Sequence, residues 1–145
     1  MKKSGILNGE LAGALTELRH GDGLVICDQG FPIPKGCYTI DISLVTGIPT
    51  WKQVLKAVLD EMRFSEYYVV DFMDEANPEY YKLVEETFGK YEVKEKLSME
   101  DFVEKTKEAK VVIRTGEPLP ASNIYLTSCS GDPWSVEEYE TTIID

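Results

Sequence analysis

One histidine, His20, serves the whole 145-residue chain. That scarcity excludes a metal centre built on several imidazoles. It also leaves Cys129, in Ser128-Cys129-Ser130-Gly131, with only that same histidine to activate it as a nucleophile. Cysteines are few as well. Cys27, Cys37 and Cys129 are odd in number and irregularly spaced, which predicts reduced thiols in a cytoplasmic protein and no disulfide framework. Their spacing with His20 matches no established zinc site. Basic residues are outnumbered, 15 Lys and Arg against 26 Asp and Glu, for a net charge of −11. A chain without a basic footprint is a poor match for nucleic acid or an anionic membrane. No long apolar stretch follows Lys2 and Lys3, so neither a signal peptide nor a membrane span is expected. Gly21-Asp22-Gly23 lacks the further glycine of a dinucleotide fingerprint and reads as a turn, and no Gly-Lys-Ser/Thr phosphate loop occurs. The acidic group Asp71, Asp74, Glu75 and Glu79 reads as a solvated loop and a helix N-terminus in preference to a cation site.

The composition that remains is that of a globular protein, 43% apolar and 28% charged, at a length that suits a single core. Hydrophobic periodicity predicts alternating elements. Asn8 caps a helix to about Leu18, and a buried strand spans Gly23 to Cys27. Tyr38 to Asp41 is a short strand, and Ile42 to Thr46 an irregular turn or short helix. Thr50 and Gln53 form a capping box before a helix carrying Trp51, Val54, Leu55, Val58, Leu59 and Met62 on one face. A strand follows at Tyr67 to Asp71, and then a helix from Pro78, capped by Asn77 and ending near Gly89. Strands at Tyr91 to Glu95, Val111 to Ile113 and Asn123 to Thr127, with a helix from Ser98 between the first two, complete the pattern. The expected architecture is a three-layer α/β/α sandwich. The expected organisation is one domain over residues 1–127 and an acidic C-terminal extension over 128–145. Within the extension Trp134 and Tyr139 either anchor it to a neighbouring surface or belong to a loosely ordered end.

The most informative stretch runs from Arg19 to Pro34. It sets His20 just before the first strand and Asp28 just after it, with Gly30, Pro32 and Pro34 in the loop beyond. Ligands of open α/β sheets bind outside the carboxyl ends of strands, and histidine exchanges protons near neutrality. The pair suggests proton transfer on a small molecule; a surface histidine and a turn-forming aspartate are the plainer alternative. An extended strand keeps the two apart at about 3.3 Å per residue. They share a site only if the flanking loops fold back or if two subunits contribute one each.

Collinear segments then tie the chain to a known family. They are Met1-Lys2-Lys3 to Leu7-Asn8, His20-Gly21-Asp22, Cys27-Asp28, Phe31-Pro32-Ile33-Pro34-Lys35 and Ile40-Asp41. Gly47-Ile48-Pro49-Thr50, Asn77-Pro78 and Val112-Ile113-Arg114-Thr115-Gly116-Glu117, leading to Ser122-Asn123-Ile124, continue the series. In this order they resemble the D-ribose pyranase and L-fucose mutarotase family, the ribose branch more closely. The resemblance implies a cofactor-independent isomerase that interconverts pyranose, furanose or anomeric forms of a monosaccharide, without metal. It implies His20 as proton donor and Asp28 and Asn123 as sugar-binding residues. It also implies a homo-oligomeric ring with sites shared between subunits. Ala121 stands where the family carries a tyrosine, Met99 where the ribose branch carries a histidine, and Val103 where a lysine is common. Those three departures carry an alternative, a non-catalytic monosaccharide-binding or regulatory subunit associated with sugar uptake.

Overall fold

The structure is a computed structural model and describes residues 1–131. Trp134 and Tyr139 of the expected extension lie outside the described residues. Among the described residues eleven elements follow in chain order: α1 (Gly9–Glu17), β1 (Gly23–Cys27), β2 (Thr39–Asp41), α2 (Trp51–Leu59), β3 (Phe64–Val70), α3 (Met73–Ala76), α4 (Pro78–Phe88), β4 (Val93–Leu97), α5 (Met99–Thr106), β5 (Ala109–Arg114) and β6 (Ile124–Ser128).

Each longer helix begins where a polar side chain satisfies an orphan backbone donor. Asn8 Oδ1 accepts from Leu11 N at 2.9 Å, and Ser98 Oγ from Asp101 N at 3.1 Å. At α2 the capping box is complete: Gln53 N donates to Thr50 Oγ1 at 3.2 Å, and Thr50 N donates to Gln53 Oε1 at 2.9 Å. Asn77 caps α4 with Pro78 in its first turn. The acidic run before it forms the single-turn α3, where only Met73 is buried, so no periodicity announces it.

The six strands make one sheet in the order β2-β5-β1-β6-β3-β4. Every neighbouring pair is parallel except those involving β6, which runs against both β1 and β3. All five residues of β1 are buried, as befits a strand covered on both faces. Tyr67 of β3 donates its hydroxyl to Glu85 of α4 at 2.6 Å. Trp51 of α2 stacks on Tyr80 of α4 at 5.1 Å, so these two helices share one face. The next residue of β3, Tyr68, turns to the other face and meets Tyr125 and the Lys105 ammonium of α5. Helices therefore cover both faces, and the α/β architecture expected from the periodicity is the one observed.

Several boundaries differ from the sequence reading: β3 spans Phe64–Val70 and not Tyr67 to Asp71, β5 widens to Ala109–Arg114, and two further differences have a local reason. Strand β4 starts at Val93 and not at Tyr91, because Tyr91 N donates to Phe88 O and its ring packs on Phe88, closing α4. Helix α2 ends at Leu59, so Met62 joins the core from the turn that follows. Of the irregular turn or short helix expected at Ile42 to Thr46, the turn is the one observed: Leu44 N bonds Ile48 O at 2.9 Å and Ile48 N bonds Val45 O at 3.0 Å.

Candidate active site

Because β6 alone is antiparallel, its first residues share a sheet edge with the carboxyl ends of the other five strands. Asp28, just past β1, and Asn123, just before β6, meet there although they lie 95 positions apart. The contact is reciprocal. Asp28 N donates to Asn123 Oδ1 at 3.0 Å, and Asn123 Nδ2 donates to Asp28 Oδ2 at 3.2 Å. Gly30 N holds the other carboxylate oxygen, Oδ1, at 3.0 Å. Asp28 is 7% exposed and Asn123 only 1%. Burial pushes the Asp28 carboxyl above its ordinary range, against the opposing pull of hydrogen bonds led by Gly30 and Asn123. The result is a nearly buried carboxylate held in fixed geometry.

Charged groups to which the sequence reading gave no site role lie beside this pair. Arg114, at the end of β5, donates from Nε (3.1 Å) and Nη2 (2.8 Å) to Gln29 O, and from Nη1 to Asp41 Oδ2 (2.8 Å) and Ser43 Oγ (3.0 Å). Glu117, 2% exposed, accepts from Tyr80 Oη at 2.7 Å, from Trp51 N at 3.2 Å and from Leu119 N at 3.1 Å. It thereby caps α2 and ties it to the turn that leads to Asn123. Ser122 accepts from Asn77 Nδ2 at 2.9 Å, a buried pair that anchors the same turn to α4. The signal for Arg114 and Glu117 was present as charges directly after a buried apolar strand, but their partners are remote in sequence.

His20 lies at the opposite edge. Gly21, in the left-handed region at φ 88°, turns the chain into β1. Asp22 Oδ2 accepts from Arg19 N at 2.7 Å and Lys110 Nζ at 3.0 Å. The Arg19 amide first, and then Lys110, hold the Asp22 carboxyl below its ordinary range. His20 itself is exposed, and its Nδ1 accepts from Ser130 N at 3.3 Å. In the neutral ring this bond assigns the proton to Nε2. The groove there, about 570 Å³, is lined by Leu18, Arg19, Leu59, Arg63 and Cys129 among others. Five residues of β1 at about 3.3 Å each put roughly 17 Å between His20 and Asp28. No rotamer closes that gap, so one chain does not bring the two together.

The positions of the three departures are also plain. Ala121 is buried, with φ 60°, in the turn before Asn123. Met99 opens α5, one turn ahead of Phe102, whose ring meets Phe31 of the Asp28 loop edge-on at 5.6 Å. Val103 follows it, half-buried. Among the described residues no cluster of three or more His, Cys, Asp or Glu is arranged to hold a metal ion, and Asp74 of the acidic stretch pairs with Lys96 at 2.8 Å.

Comparison with known proteins identifies the family. The chain is 44% identical over 128 residues to a D-ribose pyranase from Geobacillus kaustophilus, covering 88% of this chain and 93% of that protein. The structure of Bacillus subtilis RbsD complexed with D-ribose matches with a TM-score of 0.82 and 40% identity, over 88% of this chain and 97% of that one. FucU from Bifidobacterium longum matches with a TM-score of 0.69 and 26% identity, over 84% and 94%. The sequence profile of the RbsD / FucU transport protein family covers residues 1–130, and the chain belongs to that family.

Proposed function

We propose that this protein is a cofactor-independent isomerase of monosaccharide ring forms, with D-ribose as its first candidate substrate. The observation that carries the reading is the match, over 88% of the chain, to a relative whose structure holds D-ribose, with Asp28 and Asn123 joined by two hydrogen bonds in this chain. Opening a pyranose removes the proton from the anomeric hydroxyl, breaks the bond between the anomeric carbon and the ring oxygen, and delivers a proton to that oxygen. Closing through another hydroxyl gives the furanose; closing through the same one on the other face gives the other anomer. His20, as the imidazolium, donates from Nε2 to the ring oxygen and is left neutral. A water takes the proton from the anomeric hydroxyl, and solvent returns one to the imidazole. Asp28 accepts hydrogen bonds from sugar hydroxyls. Asn123 sets the carboxylate and directs its remaining amide hydrogen to the ring. Placed acid–base groups accelerate such a step by about 10²- to 10⁴-fold, enough for a reaction that already proceeds unaided in water.

His20 and Asp28 at opposite edges favour a site completed by a second copy, in a head-to-tail ring. Leu44, Val45 and Ile48 support this. They are 77%, 57% and 54% exposed on a loop bonded to Gly116 at the Asp28 edge, an apolar surface in search of a partner. The three free thiols support a cytoplasmic enzyme.

Magnetisation-exchange NMR on ribose, fucose and other aldoses tests the reading. Wild-type protein is expected to accelerate exchange between pyranose, furanose and anomeric signals, and His20→Ala to lose at least about 100-fold of that acceleration. No acceleration for any sugar would overturn it.

A further inference from the structure

We infer that Arg114 is a positioning residue for the sugar-binding carboxylate, acting on Asp28 through a single peptide group. The inference rests on the proposed sugar site. The peptide joining Gln29 to Gly30 has its carbonyl end gripped by Arg114, from Nε at 3.1 Å and Nη2 at 2.8 Å. Its N–H end is the Gly30 amide that holds Asp28 Oδ1 at 3.0 Å. A guanidinium on the carbonyl polarises the amide and strengthens the hydrogen bond the amide donates. It also fixes the plane of the peptide, and with it the direction in which the carboxylate oxygen is pulled.

The guanidinium is itself oriented. Nη1 spans Asp41 Oδ2 at 2.8 Å and Ser43 Oγ at 3.0 Å, while Ser43 N holds Asp41 Oδ1 at 2.9 Å. The chain of contacts therefore runs from Asp41 through Arg114 and one peptide to Asp28. The preceding peptide is secured independently, since Gln29 N donates to Glu117 O at 3.0 Å. A purely structural staple between β2 and β5 does not explain this geometry. Those strands are already paired through residues 39–41, and the fork of the guanidinium is spent on the loop after β1 instead. Arginine is required because a lysine ammonium reaches one acceptor group as a point charge and cannot present the planar fork.

Arg114→Gln, Arg114→Lys and Asp41→Asn test the inference, with Lys56→Gln, which removes an exposed ion pair on α2, as control. Three readouts are needed: the Gly30 amide in a proton–nitrogen spectrum, the ribose exchange kinetics, and the melting temperature. In Arg114→Gln the Gly30 amide proton is expected to move upfield, and kcat/KM to fall between about 10- and 100-fold, the penalty of a slightly misplaced group. Arg114→Lys retains the charge but is expected not to rescue either readout. Asp41→Asn is expected to show a smaller change of the same sign. Wild-type kcat/KM and an unmoved Gly30 amide in Arg114→Lys would overturn the inference. So would an activity loss that merely follows the unfolded fraction. If the wild type accelerates no sugar's exchange, the isomerase reading falls separately. Ribose affinity and the Gly30 amide then decide: both altered in Arg114→Gln sustains the clamp, both unaltered overturns it.

Discussion

Asp28 carries its charge where water scarcely reaches, and that has a thermodynamic signature. Because burial raises its folded-state pKa, the folded chain holds the proton more tightly than the unfolded chain. The stability this contributes is fully present below the ordinary carboxyl pKa and is lost as pH rises through the raised folded value. Asp28→Asn removes the titration. Urea unfolding of both proteins across the acid range is expected to show the wild type losing ground to the variant as pH rises. A constant difference would contradict the burial argument. Asp41 has the opposite sign: burial opposes its charge, but the Ser43 bonds and the Arg114 guanidinium outweigh it and hold its carboxyl low. Its contribution is present above the ordinary pKa and is lost as pH falls through the depressed folded value. At this scale the sequence spoke unevenly. The place of Asp28 at the carboxyl end of β1 was legible because the buried apolar run ends just before it. Arg114 was not, because its carbonyl partner lies 85 positions away and no periodicity links them.

Between elements, the loop after β2 and the turn after β5 are pressed together at Gly116. A Cβ there would stand 2.6 Å from both Ile48 O and Val45 O, while Gly47 N and Gly116 N bond across the same junction. Gly116→Ala must push the loop away from the site edge. It is expected to cost about 1–3 kcal/mol, the usual penalty of overpacking, measured by urea unfolding, and to slow sugar exchange as well. The caps and core faces of the helices were readable because each depends on neighbours within four positions. Thr50 with Gln53, Asn77 with Pro78, and the buried face of α2 all follow from local chemistry. The start of β4 was not, since it depends on Tyr91 turning back on Phe88. The polarity of β6 escaped for a related reason: a strand's own residues do not say which way it enters a sheet.

For the whole molecule, the separation of His20 from Asp28 makes a quantitative claim about assembly. If each site takes its histidine from one copy and its carboxylate from the next, neither His20→Ala nor Asp28→Ala alone has a complete site. On the proposed head-to-tail ring, the two unfolded together in equal amounts and refolded give mixed rings in which about a quarter of the sites are intact. Exchange NMR on the mixture is expected to recover that fraction of wild-type activity. Recovery of nothing, with ring formation verified by sedimentation, would mean that each chain supplies its own pair.

The central place of β6 has a different consequence, one of timing. The strand is the last in chain order among the described residues, yet it sits between β1 and β3 and joins the two halves of the sheet. Until Ile124–Ser128 is available, β2-β5-β1 and β3-β4 are separate ribbons, each with an open edge. Asn123 arrives with that same strand. Closure of the sheet and pairing of Asn123 with Asp28 are thus one event, and a chain stopped short of it has neither.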